Sequence, residues 1–405
     1  MKNIVFCWAF GACIVIAPDA AMAVEGIPHC DKNHFILDEP CAVLPEGTLT
    51  RLPDLPRSHG VDYAATMLPG KRILVAGGYD VASRKKTAIA DLYDPASGMW
   101  TPVGDMNGAR SELQMVALAD GRVFVLGGDE AFSPSGGLEM RGRGEIFDPA
   151  TSTWSLTDPM LTPRWGHTVA ALPSGEILVV GGQDAGWMDA GATEIYDPVT
   201  GKWREGPTLA QPRFSPSVTL LPDGRVLILG GPTDDEYSYA SAPEIYDAKT
   251  ARMGFAGPVG FATTAIGFST TLLADGRVLI AGGQKALSFW KPPRIAYLTL
   301  DASAIYDPVE NSWSDGPSLN HERYGQNAVA TPRGILVFGG VRDATQPPTW
   351  TTEAVPSAEF YSIEQGTWTE LGPVDPVLQE GVVTPLSGGE YLVDDAGRVY
   401  LYAPR

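Results

Sequence analysis

The sequence has little that would draw the chain to nucleic acid or into a membrane. Its 405 residues include 29 Lys and Arg against 48 Asp and Glu, which gives a net charge of −19. Such a charge repels nucleic acid and anionic lipid through long-range electrostatics, and it favours solubility. Beyond residue 23, no apolar run is long enough to cross a bilayer. We therefore expect no nucleic-acid partner and no membrane insertion.

The motifs of several common enzyme classes are also missing. The chain contains no His-Glu-x-x-His, no Gly-x-Ser-x-Gly, no glycine-rich phosphate loop with Lys and no EF-hand loop. These absences argue against a zinc protease, a serine hydrolase, a P-loop enzyme or a calcium sensor. We expect no metal ion and no cofactor, and the sequence leaves open whether the protein is an enzyme.

Cysteine is scarce, and all four copies lie within the first 41 residues. The apolar run Ile4–Ile16 is too short to span a bilayer, Pro18 follows it, and Ala21–Ala23 fits a small-residue cleavage site. We predict that residues 1–23 are a signal peptide cleaved after Ala23, which directs the protein to a periplasm or to the medium. The alternative is lipidation at Cys13.

Cys30 and Cys41 would remain after cleavage, as an even pair in an oxidising compartment. We predict that they form a disulfide in an N-terminal hook, residues 24–47, worth about 2–3 kcal/mol for so short a loop. A metal site that uses His29, Cys30, His34 and Cys41 is the alternative. Its spacing fits no standard zinc pattern.

Beyond the hook, the chain consists of a unit that recurs about every 50 residues. Each unit has an apolar run that ends in Gly-Gly, at Gly77–Gly78, Gly127–Gly128, Gly181–Gly182, Gly230–Gly231, Gly282–Gly283 and Gly339–Gly340. An aromatic residue follows at Tyr93, Phe147, Tyr196, Tyr246, Tyr306 and Tyr361. Seven residues later comes a slot filled by Trp100, Trp154, Trp203, Met253, Trp313 and Trp368.

Each unit contains four short segments with strand character. In the third unit they are His167–Leu172, Glu176–Val180, Thr193–Tyr196 and Lys202–Glu205. Turn residues rich in Gly, Pro and Asp join the first segment to the second and the third to the fourth. Four antiparallel strands per unit predict a propeller blade, in which Tyr and Trp pack one blade on the next.

The Gly-Gly pair, the Tyr and the Trp seven residues later resemble kelch repeats. Over residues 48–405 the chain is similar in repeat style to secreted bacterial kelch proteins and to the propeller of galactose oxidase. The resemblance implies an all-β propeller and says little about activity. Galactose oxidase needs a Cys cross-linked to a Tyr, whereas Cys30 and Cys41 lie in the hook. We therefore expect no radical copper chemistry.

The two ends of the repeat region complete each other. Residues 48–56 resemble the fourth strand of a unit, with Leu49 in the Trp slot, and no earlier strands precede them. Gly381–Pro385, Glu390–Val393 and Val399–Leu401 offer three strands without a fourth. We predict a seven-bladed, single-domain, monomeric propeller whose last blade is closed by the N-terminal strand, which removes the open edges. Six blades and a tail are the alternative.

Two sets of loops could build a ligand site, because loops on a rigid scaffold carry function. The loops after Gly-Gly hold aromatic and basic residues, and the crossings between blades hold a recurrent Arg ten residues after the Trp slot. The candidate ligand-binding residues are His59, Tyr63, Glu112, Arg164, His167, Trp187, Tyr237, Trp290, Arg323, Gln326 and Trp350. The structural alternatives are that the Arg residues tie blades together and that the aromatic residues pack the loops.

We predict a recognition module for a carbohydrate or protein ligand, bound over the mouth of the central channel. The kelch resemblance implies that crossings and Gly-Gly loops share that face. The longest such loop, 284–301, carries Phe289, Trp290 and Tyr297. The alternative is a sugar-active enzyme of mutarotase type, since opening a sugar ring needs only a modest acid–base pair.

Overall fold

The computed structural model describes residues 41–44, 47–128, 142–184, 191–231, 242–257, 265–287, 296–343, 352–373, 382–386, 389–395 and 398–404. Within these ranges the regular structure is β-strand, and α-helix is absent. It follows that none of the described residues form a helix able to cross a membrane.

Seven antiparallel sheets of four or five strands form the blades of a propeller, and the remaining described strands form four smaller sheets. Blade 1 contains Ala64–Leu68, Arg72–Ala76, Ala90–Asp94 and Met99–Pro102. Blade 2 contains Leu113–Ala117, Val123–Gly127, Arg143–Asp148 and Thr153–Pro159. Blade 3 contains Thr168–Ala171, Ile177–Val180, Ala192–Asp197 and Lys202–Thr208. Blade 4 contains Ser217–Leu220, Arg225–Leu229, Glu244–Asp247 and Arg252–Phe255.

The remaining blades follow the same order of strands. Blade 5 contains Ser269–Leu272, Val278–Ala281, Ser303–Asp307 and Ser312–Asp315. Blade 6 contains Asn327–Thr331, Gly334–Phe338, Ser357–Ser362 and Thr367–Pro373. Blade 7 contains Val382–Pro385, Tyr391–Asp395, Arg398–Pro404, Gly47–Arg51 and Cys41–Leu44. The first strand of each blade contacts the first strand of the next, and blade 7 contacts blade 1, so the ring is closed.

The ring closes by the predicted pairing of the two chain ends. Gly47–Arg51 runs antiparallel to Arg398–Pro404, with Leu49 opposite Tyr402. These two residues occupy the Trp and Tyr slots of the other blades, and both are buried in one cluster with Val329 of blade 6. The seven-bladed prediction is confirmed, and the six-bladed alternative is wrong.

A fifth strand, which the sequence did not reveal, lies on the outside of blade 7. Cys41–Leu44 pairs with Gly47–Arg51, so it covers the edge of the closing strand. It belongs to the segment predicted as the hook. Cys30 lies outside the described residues, and the disulfide therefore stays a prediction.

The core lies between the blades, because the second strand of each blade is buried on both faces. In blade 3, Ile177 and Val179 pack against blade 2, while Leu178 and Val180 pack against blade 4. This explains why the second strand of each unit is a continuous apolar run and does not alternate with polar residues.

Each Trp of the repeat ties its blade to the preceding one. Its ring lies 4.9–5.4 Å from the aromatic residue opposite. Its indole N–H donates to a backbone carbonyl in the segment that leaves the previous blade. The pairs are Trp100 with Pro53, Trp154 with Gly104, Trp203 with Asp158, Trp313 with Ala256 and Trp368 with Pro317. Met253 fills the slot in blade 4 and has no N–H to donate.

Removal of the closing strand tests this arrangement. A chain that begins at residue 57 lacks Gly47–Arg51 and leaves Arg398–Pro404 as an open edge with Tyr402 uncovered. We expect a lower melting temperature and increased aggregation. The matched control begins at residue 41 and keeps both N-terminal strands. Equal melting temperatures for the two chains in a thermal unfolding experiment would contradict closure by this strand.

Candidate functional site

The blade crossings and the Gly-Gly loops meet on one face of the ring. Arg164–Trp165 pairs with Gln183–Asp184, and Ala265–Ile266 pairs with Gln284–Leu287. Isolated bridges join Val61 to Tyr79 and Tyr324 to Val341 in the same way. The crossing that enters each of these blades is thus paired with the loop that follows its Gly-Gly, next to the innermost strand.

A left-handed residue stands at the mouth just before the innermost strand of each of six blades. Its positive φ occurs at Asp62, Glu112, Gly166, Ser215, Gly267 and Gly325. Neighbouring blades are joined here by backbone bonds from Glu112 to Asp62, Ser215 to Gly166 and Gly325 to Gly267, at 2.7–2.9 Å. A non-glycine residue in this conformation costs about 1–3 kcal/mol and persists only where its surroundings hold it.

The Gly-Gly pairs let each blade approach the crossing that leaves it. A Cβ atom on Gly181 would lie 2.3 Å from the carbonyl oxygen of Arg213, so no larger residue fits. The amide of Gly182 donates to the same carbonyl at 2.8 Å. The glycines therefore serve packing between blades, and they leave the mouth to the crossings and loops.

A buried ion pair holds each of four crossings in place, and we call it the clamp. The pairs are Arg110–Glu145, Arg164–Glu194, Arg213–Glu244 and Arg323–Glu359, at 2.5–3.0 Å. In each, the Arg also donates to the carbonyl of the first glycine of the same blade.

The carboxylate of each clamp has further partners in the crossing. Backbone amides donate to it, as Asn107 and Gly108 do to Glu145. Burial lowers the pKa of Arg213, and the Glu244 carboxylate opposes that shift. Since each charge has several partners, the ion pair can stay buried without an orphaned charge.

Two of the predicted ligand-binding residues lie inside these clamps, and a third takes the equivalent position in blade 1. Arg164 and Arg323 are buried. Their contacts therefore fit the alternative in which these Arg residues tie the blades together. His59 takes the Arg position in blade 1: its Nε2 lies 2.8 Å from Asp91 Oδ2, and its Nδ1 lies 2.8 Å from the Gly77 carbonyl.

Two other candidates pack on the first glycine of the preceding blade. His167 lies against Gly127, and Gln326 lies against Gly282. Gln326 donates to the carbonyl of Ala281 at 2.6 Å. Neither ring nitrogen of His167 has a hydrogen-bond partner among the described residues. Burial, and next the charge of Arg164, lower the pKa of His167 to about 3, so this imidazole is neutral at pH 7.

Tyr63 and Glu112 lie directly before the innermost strands of blades 1 and 2. The Tyr63 ring lies edge-on to His59 at 5.6 Å. Burial, and next the Asp394 carboxylate, raise the pKa of Tyr63 well above its ordinary value. Glu112 has an exposed side chain on the left-handed residue of blade 2. The remaining candidates, Trp187, Tyr237, Trp290 and Trp350, lie outside the described residues.

Two groups of residues were missed by the sequence reasoning. The residue before the left-handed one is large and apolar on blades 3 to 6, at Trp165, Phe214, Ile266 and Tyr324, and each is half-buried. The rings of Trp165 and Phe214 lie 4.5 Å apart. The clamp carboxylates were missed too, although each stands two residues before the aromatic of its unit. No cluster of metal-ligating side chains occurs in the part of the chain that the structure describes.

This architecture is a seven-bladed propeller, and the comparisons with known proteins show that it is similar to kelch-repeat proteins. Residues 164–210 match the Kelch motif. An F-box/kelch-repeat protein of Arabidopsis thaliana is 28% identical over 33% of this chain and 34% of its own length. Galactose oxidase of Gibberella zeae is 40% identical over 22% of this chain and 12% of its own length. These relatives are thus matched over about a third of their length or less.

A fungal alcohol oxidase and YjhT are among the solved structures that share the fold. A fungal alcohol oxidase of the AA5 family, in complex with copper, superposes with a TM-score of 0.60 and 17% identity over 88% of this chain and 75% of its own. YjhT superposes with a TM-score of 0.54 and 14% identity over 79% of this chain and 99% of its own. At such identities the likeness concerns the fold alone.

The low pKa of His167 predicts an acid-sensitive fold. The unfolded chain takes up a proton near the ordinary pKa of 6.5, whereas the folded chain does so only near pH 3. The free energy of unfolding therefore has its full value above about pH 6.5. It decreases as the pH falls, by about 2–3 kcal/mol at pH 4.5. His167→Leu should flatten this part of the pH profile, because Leu113 fills the same position in blade 2.

Urea unfolding at a series of pH values measures this effect. The control is His321→Gln, which changes a half-buried His paired with Glu370 at the surface. Identical acid profiles for wild type and His167→Leu would show that His167 does not titrate as described.

Proposed function

We propose that the protein is a recognition module that binds a carbohydrate or protein ligand over the channel mouth. The observation that carries the proposal is the row of apolar side chains on consecutive crossings: Trp165, Phe214, Ile266 and Tyr324. Half-buried aromatic rings with polar neighbours suit a sugar face or a peptide side chain. Kelch propellers commonly bind protein partners, which supports the protein alternative.

The scaffold beneath this row is rigid, which favours binding. The crossings on blades 3, 4 and 6 are each fixed by a clamp. The aromatic side chain on each crossing is therefore held in place before a ligand binds. A binding site that is already ordered loses less entropy when the ligand binds. Glu112, which is exposed, and Asp62, which is half-buried, stand at the left-handed positions of blades 2 and 1 and would supply polar groups.

The predicted aromatic loops start from this same region. The hairpin of Gln284–Leu287 and Ala296–Thr299 is tied to the next one, Val341–Asp343, because Thr299 Oγ1 donates to Asp343 Oδ2 at 2.7 Å. Trp290 and Trp350 belong to the segments that these two hairpins bound. Contact of these two Trp residues with the ligand is part of the proposal.

The opposite face offers less to a ligand. Its turns are short and satisfy their own polar groups, as where Asp197 accepts the amide of Val199 at 2.9 Å. The large apolar groups there are isolated turn residues such as Val199 and Val309. If residues 1–23 direct export, as we also propose, the ligand is one met in a periplasm or in the medium.

Sugar mutarotation is the second candidate function. Glu112 could act as a base at the mouth, since its carboxylate is exposed. His167, by contrast, is a weak base at a pKa of about 3, and its buried ring could contribute only hydrogen bonds. This contrast favours recognition over catalysis.

A glycan array followed by calorimetry on each hit tests the recognition proposal. We expect Trp165→Ala to weaken binding by about 1–3 kcal/mol if its ring stacks on the ligand. The matched control is Val309→Ser, which alters an exposed apolar residue, 89% accessible, on the opposite face. Full affinity in folded Trp165→Ala would place the ligand elsewhere.

The enzyme alternative has its own measurement. NMR of sugar anomerisation, with a panel of aldoses, would show acceleration by wild-type protein that is lost in Glu112→Gln. Binding of a sugar without faster anomerisation would support a recognition module. Faster anomerisation that depends on Glu112 would show instead that the protein is an enzyme.

A further inference from the structure

Blade 1 differs from the other clamped blades in the cation that it uses. Four described clamps employ Arg and Glu, whereas blade 1 pairs His59 with Asp91 at 2.8 Å, and neither side chain is exposed. Arg keeps its charge at any physiological pH, but the charge of His changes within that range. The clamp of blade 1 therefore keeps the geometry of the others, but its cation can lose its charge.

The hydrogen-bond partners of His59 define the form of its ring. Nδ1 lies 2.8 Å from the carbonyl oxygen of Gly77, which can only accept, so Nδ1 must carry a hydrogen. Nε2 lies 2.8 Å from an oxygen of Asp91, which as a carboxylate also only accepts. The equivalent Arg110 supplies two N–H groups, one to Gly127 and one to Glu145. An imidazole supplies two only when it is protonated on both nitrogens.

The charges around His59 balance with the ring in this form. Asp91 also accepts from Nε of Arg57 at 3.1 Å, and Arg57 donates to Asp105 at 2.7 Å. Two cations thus face two carboxylates. The other titratable neighbour is Tyr63, whose ring lies against His59. Burial, and next the Asp394 carboxylate, raise the pKa of its phenol. A neutral His59 would direct an Nε2 lone pair at the Asp91 carboxylate.

We propose that His59 is held as an imidazolium and makes blade 1 a proton-dependent clamp at the closure of the ring. His59 leads through Tyr63 into Ala64–Leu68, the innermost strand of blade 1, which contacts the innermost strand of blade 7. Blade 7 is the blade that the N-terminal strand completes. Loss of the proton therefore weakens the ring beside the blade where its two chain ends meet.

The direction of the pH effect follows from the partners. They accept hydrogens from both ring nitrogens, so under the proposal the clamp is complete only while both nitrogens are protonated and is weakened when a rise in pH removes one proton. His167 works in the opposite direction, because its low pKa makes stability fall only as the pH drops below about 6.5. The two histidines can therefore be told apart.

Thermal unfolding between about pH 6 and pH 9 tests the proposal. The variant is His59→Arg with Asp91→Glu, which installs in blade 1 the pair that the other clamps use. We expect the melting temperature of wild type to fall relative to this variant as the pH rises. His321→Gln, the surface control, should follow wild type. Parallel profiles for wild type and the double variant would overturn the proposal.

Nitrogen NMR of the histidine rings gives a second readout on the wild-type protein. At pH 7 we expect both ring nitrogens of His59 to carry a hydrogen, with assignment from the missing signals of His59→Gln. A neutral His59 ring at pH 7 would overturn the proposal even if the double variant does not fold. Because neither measurement uses a ligand, the result is independent of the proposed function.

Discussion

The ring depends on buried clamps that fix five crossings to the blades they enter, four with Arg and Glu and one, in blade 1, with His59 and Asp91. One cation reaches the carbonyl of the first glycine and a carboxylate from the third strand, while that carboxylate accepts backbone amides of the crossing. Removing one partner of such a pair typically costs about 3–5 kcal/mol, because the other charge is left buried. The clamp thereby fixes where the left-handed residue and its aromatic neighbour stand at the mouth.

The clamp is not the same in every blade. Blade 5 carries Ala304 where the other five units have a carboxylate, and its crossing has no Arg at the corresponding position. Blade 5 is joined to blade 6 by a different contact, in which Gln326 donates to the Ala281 carbonyl and to Ser269. Blade 1 keeps the clamp with His59 in place of Arg. The repeat therefore conserves an interaction between blades, whose chemistry varies around the ring.

Much of the fold could be predicted from the sequence, because the strongest physical constraints repeat. The Gly-Gly pairs and the Tyr-to-Trp spacing recur since every blade must pack on the next, and Leu49 could be assigned to the Trp slot by the same spacing. Cys41–Leu44 could not be predicted, because a fifth strand has no counterpart in the other units. The clamp carboxylates could have been found: an acid stands two residues before the aromatic only where the crossing supplies Arg or His.

The candidate site was harder to predict, because the side chains at the mouth share a position and not an identity. No single residue type recurs at this position, which holds Trp165, Phe214, Ile266 and Tyr324 in blades 3 to 6. Arg164 and Arg323 were candidates for the site, although their recurrence also fitted a structural role, and both are buried in clamps. In a repeat protein, recurrence reports packing between units, and departures from recurrence point to the binding face.

A double-mutant cycle on Arg213 and Glu244 tests the central role of the clamp most directly. Arg213→Met and Glu244→Gln are made singly and together, and the free energy of unfolding is measured for each. We expect a coupling of more than about 2 kcal/mol, since each single change strands a buried partner. Additivity of the two changes within about 0.5 kcal/mol would contradict the account.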